Sequence, residues 1–488
     1  MNALPVADRQ GAPPLIAVLA GAVVGWLLAL VSPYLVLAAV AAVIMGFAAL
    51  WQPAVAAWSV LLMVAVFGRS SLFAYDLPFL GGGIKITDGL VALAFGAWLV
   101  GRAVRPELRR LPSRPLTHLL LGFMALSVAS LFTALSMGTP LKLSLLELRP
   151  LLSYLLVFPI VASIQRMRHV EVALVALLFA GAVAAVSTLY SFLVGDGHAA
   201  TFAAGAIRVT GSTSLYALLV VIWCVCLAPF TASPRNRLVL IALACLGIAA
   251  TFFTLQRGLW LAGFAGVALA VALVPGRRRS RLLGVLTAAA GCGVALIMLA
   301  NMASVAGASS TLATGVERLR SVATYQSDVS SLHRLAEWDR SIELMVNYPL
   351  TGIGLGSSIS FVSPMYSDVQ QTTGVTHTTF YIHNSFVWFA LKMGLPAALL
   401  VSAVVALTLW RAYRQYRLSE DFRTRRVLLG AGTTLAVLVL FALAGPHLNV
   451  DTGTPYAAAM IALIDVVARL PREPAEPPLH AASVVGAP

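Results

Sequence analysis

Arg277-Arg278-Arg279-Ser280-Arg281, followed over 282–303 by LLGVLTAAAGCGVALIMLANMA, is the stretch that decides the fold. A bilayer core of about 30 Å takes roughly 20 apolar residues in a helix. The run supplies that length without one charged side chain. The basic cluster at its start marks the end that stays in the cytoplasm, since cytoplasmic loops carry the excess of Lys and Arg. Working outward, apolar runs recur at 14–31, 33–50, 53–68, 86–101, 116–135, 150–164, 172–194, 214–232, 238–255, 258–275, 384–410, 427–446 and 454–470. The expected fold class is therefore all-α, a polytopic integral membrane protein with about 12–14 transmembrane helices. The first three runs are short and crowded enough for two of them to form a re-entrant pair.

Composition agrees. The chain is 59% hydrophobic and 11% charged, with a mean hydropathy of +0.89, well outside the range of soluble domains. Basic clusters at Arg102–Arg114, Arg166 and Arg168, Arg235 and Arg237, Arg277–Arg281 and Arg411–Arg426 all fall on one side when the runs alternate. The net charge of +14 is thus mostly a topology signal, with both termini cytoplasmic. It does not indicate nucleic acid, because no soluble domain interleaves basic residues with aromatics. No cleavable leader is expected, since Asp8 and Arg9 precede the first run. Cys224, Cys226, Cys245 and Cys292 all lie within runs and read as packing residues. The expected organisation is transmembrane helices over 1–303, an outer loop over 304–382, further transmembrane helices over 383–470, and a disordered Pro- and Ala-rich cytoplasmic tail over 471–488.

The outer loop ends on His383-Asn384-Ser385, where the chain re-enters the membrane. Within it, Leu332, Leu335, Trp338, Ile342, Met345 and Val346 recur at helical spacing over 331–347. That pattern predicts an amphipathic helix, lying on the membrane or roofing a cavity and stopped by Pro349. Gly352-Ile353-Gly354-Leu355-Gly356 follows, either a plain loop or a phosphate cradle with Gly354 at its centre. Outer arginines run against the positive-inside rule and call for a reason. Arg208 sits in a short outer loop, and Arg257 in a turn so tight that it is held at the membrane surface. Arginine near hydrocarbon is costly, about 2.5–3.5 kcal/mol at a helix centre. Snorkelling explains it in one reading. In the other, a planar guanidinium grips phosphate oxygens bidentately. Glu337 and Asp339 point roughly 200° apart on a helix and cannot share one metal. Outer acids are otherwise scattered, with no Asp-x-Asp pair, so no metal site is expected.

Four patterns resemble the O-antigen ligase and O-antigen polymerase superfamily of bacterial membrane glycosyltransferases. His383-Asn384, nine residues and then Gly394 is similar to the ligase signature. Arg257, three residues and Leu261 is similar to an Arg-x-x-x-Leu element, although Gln256 stands where the family often has Ser. Arg334, Trp338, Pro349, Gly352, Gly354 and Gly356 resemble the outer-loop pattern, and Arg208-Val209-Thr210-Gly211 an Arg-x-x-Gly step before a span. The matches cover roughly 200–400.

The resemblance implies a GT-C-like enzyme in the bacterial inner membrane with a periplasmic active site and no cofactor. It would take a glycan from undecaprenyl pyrophosphate and pass it to a sugar hydroxyl. The acceptor is lipid A–core for an O-antigen ligase, the first reading, or a lipid-linked repeat unit for a polymerase. Within it, His383 is the candidate general base, whose type of side chain titrates near operating pH. Arg257 and Arg208 are the candidate pyrophosphate clamps. Asn384 is expected to orient His383 or a sugar hydroxyl, with Arg334 and Arg149 as secondary candidates. His383 also reads as an interfacial residue capping the re-entrant helix, and His377 as the rival histidine. The partners are the lipid-linked donor, the glycan acceptor and membrane lipids. A transporter would instead place charges near mid-membrane, often within an inverted repeat. A protein O-oligosaccharyltransferase would share the chemistry with a Ser or Thr acceptor.

Overall fold

The computed structural model describes residues 44, 46–67, 85–195, 199–201, 207–209, 214–303, 309–320, 329–363 and 375–470. The run at 14–31, most of that at 33–50 and the tail at 471–488 lie outside the described residues. The helices are α1 (Pro53–Phe67), α2 (Ile86–Val104), α3 (Arg114–Ser136), α4 (Leu141–Leu151), α5 (Val157–Ser163) and α6 (Met167–Val194), then α7 (Ser214–Leu227), α8 (Pro234–Phe252), α9 (Arg257–Leu273) and α10 (Gly276–Ala303). After these come α11 (Ser309–Arg320), α12 (Val329–Asn347), α13 (Ser385–Met393), α14 (Leu395–Leu418), α15 (Phe422–Ala442) and α16 (Thr454–Val467). Two antiparallel ribbons, β1 (Ala199–Thr201) with β2 (Ile207–Val209) and β3 (Ile359–Ser363) with β4 (Val375–Thr379), complete it. The chain is an all-α polytopic membrane protein. Among the described residues, eight helical segments are long and apolar enough to cross a membrane, and four shorter apolar helices accompany them.

Two expected spans are not single helices. The run at 384–410 breaks at Gly394, which takes φ +83 between α13 and α14. The run at 150–164 starts earlier, at Leu141, and passes through Pro150 and a 3-10 turn before α5. Hydropathy counts apolar side chains and does not register such backbone breaks.

α7 and α16 are the centre of the bundle, with every residue buried. Around them α6, α9, α10 and α14 turn apolar side chains such as Phe179, Phe264, Leu299 and Leu399 outward, as hydrocarbon permits. At about 1.5 Å per residue, the central helices are too short to reach both faces. α2, α7, α9 and α16 all begin near the same end, where Lys85, Ser214, Gln256 and Thr452 line one hollow. Their backbone dipoles give that end a positive potential.

The residues assigned to each face meet one another at opposite ends. At one end Arg411 pairs with Asp465 at 2.6 Å, Arg469 joins the same carboxylate, and Arg426 reaches Glu171 at 2.6 Å. At the other, Arg149 reaches Asp451 at 2.9 Å and Lys392 reaches Glu147 at 2.9 Å.

Candidate functional site

α12 covers the hollow end, and it does so with its polar stripe. His333, Glu337 and Ser341, spaced by four along one face, are buried, while Leu335, Ile342 and Val346 of the apolar set are exposed. Trp338 and Met345 pack against the core. A helix with two distinct faces does not declare which one is covered; here the polar stripe is.

The glycine loop after α12 holds it in place. Gly352, Gly354 and Gly356 all have positive φ, a backbone region open to glycine at little cost. A Cβ on Gly352 would strike the backbone of Lys392, one on Gly354 that of Ala134, and one on Gly356 that of Ser144. The amides of Ile353 and Gly354 donate to the carbonyls of Leu391 (2.8 Å) and Lys392 (3.0 Å). That of Gly356 donates to Glu147 at 2.5 Å. Gly354 is therefore a packing residue that docks the loop on α3 and α13, and not a phosphate cradle.

The His-Asn-Ser triplet divides three tasks. The backbone N–H of His383 donates to Glu337 Oε1 at 2.6 Å, and its Nδ1 lies 2.6 Å from Glu337 Oε2. A carboxylate accepts, so Nδ1 is the donor to Glu337 and Nε2 is the ring nitrogen that Glu337 leaves unengaged. Asn384 does not orient His383: its Oδ1 accepts from Phe386 N (2.9 Å) and Val387 N (3.2 Å) and caps α13. Ser385 donates to the Gly445 carbonyl and accepts from Leu448 N, both at 3.1 Å, pinning the loop that carries His447.

Arg257 is placed by a strained turn. Leu255 is the non-glycine residue with positive φ, at 49°, among the described residues, a conformation that costs energy unless its surroundings enforce it. Leu255 is buried, Trp260 Nε1 donates back to Thr251 O at 3.0 Å, and the Phe252 and Trp260 rings stack. Arg257 then becomes the first residue of α9, adding its charge to the positive end of a helix. β2 lies beside this turn, with Val209 N donating to Phe253 O and Arg208 Nε to Thr254 O, each at 3.0 Å.

These elements enclose a cavity of about 570 Å³ lined by Arg208, Arg257, Arg318, Arg334, His333, His383, Tyr381 and His447 among others. No Asp or Glu is among its described lining residues. Burial and the neighbouring charge of Arg334 lower the pKa of Arg208, the signature of cations drawn together with little water. Burial pushes His447 down to about 3, helped by the charge of Arg334 and by His383, so its ring, stacked 3.6 Å from that of Phe441, stays neutral. Burial also lowers His333 against the opposing pull of Glu337. Burial, reinforced by Glu337, raises Tyr381.

Four of the sequence candidates thus come together: His383, Arg257, Arg208 and Arg334. Arg149 does not join them; it reaches Asp451 and, at 3.4 Å, Asp88. His377 sits on β4 opposite Phe361, its ring 5.4 Å from that of His333. Sequence reasoning missed Glu337, Arg318, His333, Tyr381 and His447. The spacing of four between His333 and Glu337 was a usable signal, hidden by the apolar residues between them. His333, Glu337 and His383 also have potential ligand atoms all within 4.8 Å of one another, a donor set of the kind that binds zinc and one the scattered outer acids did not suggest.

A helical membrane protein in which a carboxylate-held histidine faces an arginine-lined cavity has the groups for transfer from an anionic leaving group. Residues 241–402, about a third of the chain, match the family model described as O-Antigen ligase. The segment runs from α8 into α14 and contains Arg257, Arg318, Arg334, Glu337 and His383; Arg208 and His447 lie outside it. No curated protein matches the chain.

Proposed function

We propose that the protein transfers a glycan from undecaprenyl pyrophosphate to a sugar hydroxyl at the periplasmic face of the bacterial inner membrane, acting as an O-antigen ligase with lipid A–core as acceptor. The observation that carries this reading is the His383–Glu337 pair opening onto a cavity lined by four arginines. The acceptor oxygen attacks the anomeric carbon while the bond from that carbon to the pyrophosphate oxygen breaks. The hydroxyl proton passes to Nε2 of His383, and Glu337 stabilises the imidazolium that forms. Undecaprenyl pyrophosphate departs with the electron pair, its charge met by Arg257, Arg208, Arg334 and Arg318. It needs no protonation to leave.

Four fixed guanidinium groups supply the positive charge that magnesium supplies in many phosphate sites, so transfer is expected to survive excess EDTA. Loss of activity with chelator and its return with a divalent ion would move the role of His333, Glu337 and His383 from proton transfer to metal binding. The main test is product analysis with a purified lipid-linked repeat unit, alone and then with lipid A–core. A ligase leaves the repeat unit unchanged until lipid A–core is added. A ladder of products from repeat units alone would make the protein a polymerase, and no transfer with either acceptor would overturn the reading.

A further inference from the structure

A second cavity, of about 480 Å³, adjoins the first and shares Gln256, Tyr381, Phe441 and His447 with it. Its electrostatics are of another kind. Lys85 and Arg149 both pair with Asp451 Oδ2, Arg149 Nε lies 3.4 Å from Asp88, and Asp88 accepts from Lys85 N at 2.7 Å. Two cations and two carboxylates balance, so among the described residues this group offers no net charge to a pyrophosphate. It offers instead a carboxylate, an ammonium, the Thr452 hydroxyl and the Gln256 amide beside the apolar surfaces of Leu215, Phe441 and Val450. Alternating donors and acceptors around an apolar wall suit a sugar ring, whose edge carries hydroxyls and whose faces carry C–H groups.

The position matters as much as the lining. Displacement at an anomeric carbon needs the incoming hydroxyl and the leaving group on opposite sides of that carbon, each held in place. Two compartments that share the Tyr381 wall, beside the base that lines the first of them, provide such a layout. Tyr381, in the shared wall, packs its ring 5.5 Å from that of His383. Lys85, Arg149 and Asp451 lie outside the segment matched by the family model, whereas Arg257, Arg334 and His383 lie within it.

We propose that this second cavity is the acceptor subsite, taking the terminal neutral sugar of the acceptor glycan, with Asp451 and Thr452 binding its hydroxyls and Tyr381 positioning the attacking one toward His383. The assignment rests on reading the arginine-lined cavity as the donor site.

Cysteine protection tests both and tells them apart. In a Cys292→Ala background, the other cysteines being buried, Val450→Cys reports on the second cavity and Ser330→Cys on the first. Undecaprenyl pyrophosphate should slow thiol labelling at Ser330→Cys by at least about fivefold and leave Val450→Cys unchanged. Lipid A–core should do the reverse. Protection of Val450→Cys by a lipid-linked repeat unit and not by lipid A–core would keep the subsite and identify a polymerase acceptor. Protection of Ser330→Cys by undecaprenyl pyrophosphate with no protection of Val450→Cys by either acceptor would overturn the acceptor assignment alone. No protection of Ser330→Cys would overturn both readings. As a kinetic check, Val450→Trp, which fills the cavity, should raise the acceptor KM about tenfold or more and leave the donor KM unchanged; equal effects on both would contradict the proposal.

Discussion

Arg411 and Arg469 at one end of the bundle share the buried carboxylate of Asp465, and Arg426 reaches Glu171. At the other end Arg208, Arg257, Arg318 and Arg334 line a cavity without an acid in its described lining, and the buried carboxylate of Glu337 is engaged by His383. The residue type is the same, and the second set lines open volume. Where guanidinium groups close on a buried or half-buried carboxylate, the pairing fixes one helix against another. Where several gather around open volume, the proposed function gives the charge an anionic leaving group to meet. Arginine identity alone therefore does not distinguish topology signal, structural tie and binding group; whether it lines open volume bears on the choice.

The comparison breaks most visibly at the base. His383→Ala should lower transfer by about 10²–10⁴-fold while leaving undecaprenyl pyrophosphate binding intact. Glu337→Gln should retain binding too and lose a smaller part of the rate, because the ring keeps its place with a weaker partner. Near-wild-type turnover by a well-folded His383→Ala protein would remove the base from the account, and His377 would be the next residue to test.

Lysine replacements sharpen the contrast between the ends. Arg257→Lys keeps the charge and loses the planar fork, so transfer should fall roughly tenfold or more. Arg426→Lys, in a half-buried pair at the other end of the bundle, keeps its charge beside Glu171 and should change transfer by less than about twofold. Equal tolerance at both positions, measured as kcat/KM for the donor, would return Arg257 to a snorkelling role.

The smallest effect concerns pH. His447 is held neutral, with its pKa lowered to about 3 from an ordinary value near 6.5. A pKa depressed on folding gives stability that is complete above about 6.5 and is lost as pH falls toward 3, because the unfolded chain takes up the proton first. The wild-type Tm should therefore decline across that window, and His447→Gln should show a shallower slope. Parallel slopes would mean that His447 does not contribute.

How far the sequence discloses this arrangement varies by element. α12 was legible almost to the residue, because its helical period survives between Val329 and Pro349. Which face it buries was not, since the apolar residues that revealed the period include Leu335, Ile342 and Val346, which lie outside the core. Arg257, Arg208 and His383 stood out because a charge or an imidazole at a membrane surface is costly without a use. Glu337 did not, being one acid on a helix that also carries Asp339 and Glu343. Its partner is 46 residues away, and only the docking of the glycine loop brings the two together. The break at Gly394 was hidden inside a continuous apolar run. Gly394 appeared in the ligase-like pattern, yet nothing in hydropathy said that it would turn the chain.

The most direct measurement is a structure of the protein in lipid nanodiscs with undecaprenyl pyrophosphate bound. The account predicts the pyrophosphate within hydrogen-bond distance of Arg257 and Arg208, with His383 Nε2 facing the position that an anomeric carbon would occupy. Pyrophosphate bound among Lys85, Arg149 and Asp451, or at the membrane surface away from all four arginines, would contradict it.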